Sequence, residues 1–105
     1  MSPHFHFRLD RHGYEKCFDL LATAGMPFTE ERRDSFPWLK GDPPITDIYG
    51  HLSSPQGAVP CRLRNSSGRS FCFTVTVLEE EHVEVLEEVG KVLADYLVRE
   101  AQADP

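Results

Sequence analysis

The sequence has few cysteines, and they lack the spacing that would give them a structural or metal-binding role. Its 105 residues include three, Cys17, Cys61 and Cys72. An odd number without a C-x-x-C pair argues against a disulfide framework and against a zinc-finger pattern. Buried free thiols are the simplest interpretation, because cysteine is among the residues most often buried. Free thiols fit the cytoplasm, which is the compartment we expect.

Long apolar runs and the common catalytic motifs are also missing. No apolar run approaches the roughly 20 residues that a membrane-spanning helix needs, so we expect no membrane insertion. The N-terminus lacks the basic region and apolar stretch of a signal peptide. There is no glycine-rich phosphate loop, no G-x-S-x-G and no H-E-x-x-H. We therefore predict no cofactor, and the balance favours a protein that is not an enzyme.

The sequence has fewer basic than acidic residues: 11 Lys and Arg, compared with 17 Asp and Glu, give a net charge of −6. A uniformly acidic surface repels phosphate backbones, so nucleic acid is not an expected partner. The 40% hydrophobic and 27% charged content is that of an ordinary globular protein. The length fits one domain over 1–105.

The N-terminal segment alternates like a strand that has one apolar side. Its apolar side consists of Phe5, Phe7 and Leu9, and its polar side of His4, His6, Arg8 and Asp10. After a break at 11–13, apolar residues at helical spacing over 14–21 predict a helix. Gly25 and Pro27 end that helix.

The middle of the chain carries weaker signals. Residues 26–33 favour a strand beside the first one, because that arrangement explains the short connection from the helix. Residues 34–57 are rich in proline and aromatics and predict a long loop. Within it, 42–50 resembles a short helical turn, with Asp42 as its N-cap and Gly50 as its end.

Two alternating segments, 59–64 and 71–77, predict a β-hairpin. A three-residue loop at 66–68 pairs Leu63 with Phe71 and gives the hairpin one apolar and one polar face. The same register puts the two cysteines of the hairpin on opposite faces, so they should not form a disulfide. The other predicted pairs are Cys61–Phe73 and Val59–Val75.

The C-terminal part predicts a long amphipathic helix over 80–101, followed by a frayed tail at 101–105. Two helices and three or four strands indicate an α+β fold. We expect a two-layer sandwich of the ferredoxin-like type, with a three- or four-stranded antiparallel sheet and both helices on one face. The other face of such a sheet remains open.

The open face should carry the polar sides of the three clearest strands. The predicted binding residues are His4, His6, Arg8, Arg62, Arg64, Cys72, Thr74 and Thr76. No carboxylate is among them, so this face is positively charged although the whole chain is negatively charged. Such a local difference in charge is typical of a contact surface. The leading hypothesis is a small non-enzymatic interaction or regulatory protein, of the inhibitor or immunity type, that binds an acidic protein partner. A homodimer is possible, but a face-to-face dimer would stack these arginines on their own copies.

Two other interpretations use the same face. The first is a small-anion or ligand-binding module, with the loop 34–57 as a lid. The second is a metal-dependent nuclease-like enzyme, because His4 and His6 lie about 6.6 Å apart at Cα on a strand and can share one ion. Its third ligand could be Asp10, His12, His51 or an acidic residue of the loop 34–57.

The short motif His4-Phe5-His6 resembles the His-hydrophobe-His motif of rolling-circle replication and transposition endonucleases. In that family a tyrosine on a neighbouring helix attacks DNA. The resemblance implies that Tyr14 or Tyr96, both predicted to lie on helices, would take this role. It covers little more than these three residues, and a surface pair of strand histidines is the favoured interpretation.

Overall fold

The computed structural model describes residues 3–37, 40–41, 43–67 and 70–98, which contain five strands and two α-helices. Strands and helices follow in the order β1 His4–Leu9, α1 Arg11–Thr23, β2 Phe28–Phe36, β3 Ile45–Ser54, β4 Gly57–Ser66, β5 Phe71–Val77 and α2 Glu84–Leu93. Short 3-10 turns cover Glu80–His82 and Ala94–Tyr96. The fold is α+β, as predicted, but the ferredoxin-like sheet of three or four strands is wrong.

All five strands are antiparallel, and their order across the sheet is β1-β5-β4-β3-β2. β2 to β5 therefore form a meander, and β1 pairs with the remaining edge of β5. The strand predicted over 26–33 exists, but its predicted place beside the first strand is wrong. α1 contacts β1, β5 and β2, so it carries the chain across the sheet to the opposite edge.

The prediction of a long loop over 34–57 is wrong, because most of that segment is sheet. It contains the end of β2, all of β3 and the β3–β4 turn. Ile48 and Leu52 point into the core, where both are buried. The helical turn over 42–50 is wrong as well, since Ile45 onward is strand; its predicted cap, Asp42, lies outside the described residues.

Gly50 lies inside β3 for a steric reason rather than at the end of a helix. The pairing of β2 with β3 shifts between Glu30 and Arg32, which is a β-bulge. The bulge brings the β2 backbone so close that a Cβ on Gly50 would overlap the carbonyl oxygen of Thr29. A glycine inside a strand often marks such a close backbone approach.

The β4–β5 hairpin has the predicted faces but not the predicted register. Leu63 pairs with Val75 rather than with Phe71, and the connection is 67–70 rather than 66–68. Both registers keep the same side chains on the same face, because side chains alternate with a period of two. Cys61 is accordingly buried in the core, whereas Cys72 lies on the other face and is partly exposed.

Both helices pack on one side of the sheet, as predicted. Asp10 caps α1 by accepting a 2.7 Å hydrogen bond from the backbone N–H of Gly13, so the helix begins at Arg11, earlier than expected. The core combines residues of both helices with one face of the sheet. Phe5 is 51% exposed at the end of this face, where its ring stacks on Phe7. No helix of the described ranges is long and apolar enough to cross a membrane.

The C-terminal helix is shorter than the predicted 80–101. After the 3-10 turn, the chain becomes extended and runs along the outer edge of β1. Leu97 forms an antiparallel bridge with Leu9, and the N–H of Val98 donates to the carbonyl of Arg8 at 2.8 Å. These backbone bonds replace the helical ones, which is why the helix ends there. The tail predicted at 101–105 lies outside the described residues.

The close approach at Gly50 gives a test of the β2–β3 pairing. We expect Gly50→Ala to destabilise the protein by about 2 kcal/mol or more, because the methyl group meets backbone that cannot move aside cheaply. Gly90→Ala is the matched control: a Cβ there would lie 3.8 Å from Phe7 Cε1, an ordinary contact. It should be neutral or stabilise the helix by up to about 1 kcal/mol. Urea denaturation measures both, and equal midpoints for the two variants would contradict the bulge.

Candidate functional site: the outer face of the sheet

The side of the sheet that faces away from the helices, called the outer face below, is built of side chains in rows across the strands. In strand order, one row, the Arg62 row, consists of His4, Thr76, Arg62, Tyr49 and Arg32. The next, the Arg64 row, consists of His6, Thr74, Arg64, Asp47 and Asp34. Arg8 on β1 and Cys72 on β5 lie opposite each other on the same face, next to the Arg64 row. All eight predicted residues thus lie on one face, and their role in binding stays a prediction.

The eight predicted residues include no carboxylate, but the outer face as a whole does, because β2 and β3 also contribute to it. Asp47 on β3 lies directly opposite Arg64 on β4 and is only 4% exposed. Arg64 donates two parallel hydrogen bonds to it, from Nε to Oδ1 at 2.7 Å and from Nη2 to Oδ2 at 2.9 Å. Asp47 was missed because its segment was predicted to be a loop. The signal that could have found it is the alternation of Asp47, Tyr49 and His51 with apolar neighbours.

The Asp47–Arg64 pair is electrostatically well matched. The hydrogen bonds from Arg64 hold the pKa of Asp47 below its usual range, although burial acts in the opposite direction. The positive charges of Arg64 and Arg62 lower that pKa further. The same hydrogen bonds raise the pKa of Arg64. Arg64 is therefore already engaged within the protein, and its pairing ties β3 to β4.

Arg62, two residues earlier on the same strand, has a different environment. Its cross-strand neighbours are Tyr49 and Thr76, neither of which carries a charge. Its Nη2 lies 3.5 Å from Thr76 Oγ1, at the limit of a hydrogen bond, and its Nε is buried without a hydrogen-bond partner. Among the described residues, no carboxylate lies within ion-pair distance of Arg62. Its guanidinium thus retains unused donors.

The two arginines line a shallow depression on the outer face. Its other lining residues are His4, His6, Thr74 and Thr76. Hydroxyl, imidazole and guanidinium groups meet there, and none of the six is acidic. His6 Nδ1 and Thr74 Oγ1 are hydrogen-bonded at 2.7 Å, which links β1 to β5. Such a set of groups can bind an oxyanion.

The metal interpretation does not gain a third ligand. Asp10 caps α1, and His51 Nδ1 is paired with Glu31 Oε2 at 2.6 Å. The ring of His12 lies beside that of Tyr96. Within the part of the chain that the structure describes, one group of three metal-ligand side chains occurs, and it lies at 79–82 and includes neither His4 nor His6.

The tyrosines and cysteines add no nucleophile to the depression. Tyr14 lies on α1, where its ring packs against Phe71 and burial raises its pKa. Burial also raises the pKa of Cys17 to about 11 and that of Cys61 to about 12, so both are unreactive thiols. Cys72 is on the outer face, but its Sγ lies 3.3 Å from Ser70 Oγ and it does not line the depression.

Comparison with known proteins found no match. No protein-family model fits the chain, and no curated protein and no solved structure is significantly similar to it. The geometry of the outer face is therefore the basis for the proposals below. That geometry combines one arginine engaged by a buried carboxylate with a second arginine that has no such partner.

The Asp47–Arg64 pair predicts a specific dependence of stability on pH. We expect Arg64→Met to lower the free energy of unfolding by about 1–2 kcal/mol at pH 7, because it leaves a buried carboxylate without its partner. The pKa of Asp47 is lowered in the folded state, so its contribution is present above the ordinary value of about 3.9 and is lost as the pH falls through the lowered folded value. The difference between variant and wild type should therefore shrink towards pH 3.

The control for this experiment is Arg33→Met. Arg33 makes an equally good two-bond pair with Glu30, but on the exposed edge strand β2. Exposed pairs contribute little, so this variant should unfold almost like the wild type. Urea midpoints at pH 7 and pH 3 measure both variants. An Arg64→Met effect that is no larger than that of Arg33→Met, or that is constant with pH, would contradict the proposed role of the pair.

Proposed function

We propose that this protein is a non-enzymatic interaction protein, of the inhibitor or immunity type, that binds an acidic region of a partner protein through the outer face. The observation that carries the proposal is the charge of this face. Three arginines and two histidines lie on β1 and β4, whereas the carboxylates of the two rows are already paired: Asp47 is buried against Arg64, and Asp34 on the edge strand pairs with Arg32. The whole chain has a net charge of −6, so the reversal is local. Complementary charge of this kind orients a partner and speeds its association.

The edges of the sheet favour binding to the face rather than the addition of a strand. The β2 edge carries exposed ion pairs, such as Arg33 with Glu30, which protect edge strands from pairing. At the opposite edge, the backbone of Val98 bonds to Arg8 of β1. A partner that docks on the face needs neither edge. The cytoplasm is the compartment that we propose, because the three cysteines are free thiols.

A second candidate function is the binding of a small oxyanion, which the depression itself favours. The hydroxyls of Thr74 and Thr76 lie between the histidines of β1 and the arginines of β4. A free anion could bind there without any partner protein. The predicted lid for such a site, the loop 34–57, is strand over most of its length, so the site is open. An open site suits a group presented by a larger molecule better than a free anion.

An NMR titration with a glutamate-rich peptide tests the proposed function. We expect amide shifts of β1, β4 and β5, and affinity that falls as salt is raised. Arg62→Glu should weaken binding at least tenfold. Lys16→Glu is the matched control, because it makes the same change of charge on the exposed side of α1. Equal weakening by both variants, or shifts confined to the helices, would contradict docking on the outer face.

Inorganic phosphate in the same titration separates the two candidates. If the proposed function is correct, phosphate at millimolar concentration should shift the signals of the depression weakly or not at all. If phosphate saturates these signals while the peptide leaves them unchanged, the small-anion function is correct and protein docking is wrong.

A further inference from the structure

We infer that Arg62 is the residue that binds the partner, and that it does so by pairing with one carboxylate of an aspartate or glutamate side chain. This inference rests on the proposed function and assigns its chemistry. Arg64, which carries the same charge on the same strand, is a positioning residue. The two assignments follow from the different partners of the two guanidinium groups.

Arg64 has already used the edge of its guanidinium that best matches a carboxylate. Both Nε and Nη2 are bonded to the oxygens of Asp47. A second carboxylate would have to compete with an internal one that is only 4% exposed and held in place by the β3–β4 register. Arg64 therefore fixes β3 against β4 and adds positive potential to the face, but it has little binding capacity left.

Arg62 lacks such an internal carboxylate. A guanidinium has five N–H donors, and the structure gives Arg62 one long contact, to Thr76 Oγ1. Its Nε is buried without a partner, which is costly for a donor that has left water. Arg62 also lines the depression. An oxyanion bound there would supply the charge and hydrogen bonds that the protein itself does not provide.

The surroundings of Arg62 favour a carboxylate over a phosphate. Asp47 is close enough for the charge of Arg62 to lower its pKa, so an incoming anion also feels the negative charge of Asp47. Two arginines and one aspartate leave a single positive charge, which one carboxylate neutralises and a doubly charged phosphate exceeds. Thr76 is 5% exposed and Tyr49 lies on the other side of Arg62, so the side chain is flanked on both neighbouring strands. A flanked guanidinium is suited to planar, two-bond pairing.

Two lysine variants test the inference with the glutamate-rich peptide as probe. Arg62→Lys keeps the charge but cannot form two parallel bonds, so we expect the dissociation constant to rise at least tenfold. Arg64→Lys should change it less than threefold and instead lower the urea midpoint, because it breaks one bond to Asp47. In the wild type, the side-chain Nε–H signal of Arg62 should shift on binding, whereas that of Arg64 should not. Amide spectra check that both variants are folded.

The outcomes separate this inference from the proposed function. If the wild-type protein does not bind the peptide, the proposed function fails, and the inference with it. If it binds and Arg62→Lys binds equally well, docking on the outer face stands but pairing of Arg62 with a carboxylate is wrong. If Arg64→Lys loses more affinity than Arg62→Lys, the assignment of the two roles is reversed. If phosphate displaces the peptide at low millimolar concentration, the carboxylate class is wrong.

Discussion

The bidentate pair of Asp47 and Arg64 connects the middle of the sheet to the chemistry of its outer face. Each partner needs the other: the carboxylate is nearly buried, and without the guanidinium it would carry an uncompensated charge. The pair forms only if β3 and β4 are in one register, because a shift of one residue would move Asp47 to the core side. It thus selects the register that also places Arg62 between Thr76 and Tyr49.

The same pair gives different roles to two arginines, Arg62 and Arg64, that are indistinguishable in the sequence. One is engaged by an internal carboxylate and contributes to the structure, and the other remains unsatisfied beside a depression lined by hydroxyl and imidazole groups. A protein of net charge −6 can in this way expose a small cationic face without an unpaired cluster of three arginines. Both edges of the sheet are occupied by ion pairs or backbone bonds, so the face is the surface we expect a partner to use.

The sequence predicts side-chain faces better than it predicts pairing. The alternation of side chains correctly placed His4, His6 and Arg62 on one face. The face of a residue depends only on whether its position in the strand is odd or even. The β4–β5 register was wrong by four residues on β5, and alternation could not detect the error because an even shift leaves every side chain on the same face. β3 was missed because Gly50 resembles a helix end, whereas a glycine is required there by the bulge in the preceding strand, β2. The Asp47–Arg64 pair could not be predicted, because it requires the β3–β4 pairing and β3 was predicted to be a loop.

In the proposed complex, Asp47 keeps Arg64 from binding the partner, and Arg62 pairs with the partner's carboxylate. The most direct measurement is the affinity for the glutamate-rich peptide of Arg62→Ala with and without Asp47→Asn. We expect Arg62→Ala to lose binding and Asp47→Asn to restore much of it by releasing Arg64. The restoration should disappear when Arg64→Ala is added, which separates it from the simple loss of a negative charge. If Asp47→Asn restores nothing, or restores binding equally without Arg64, the claim is wrong.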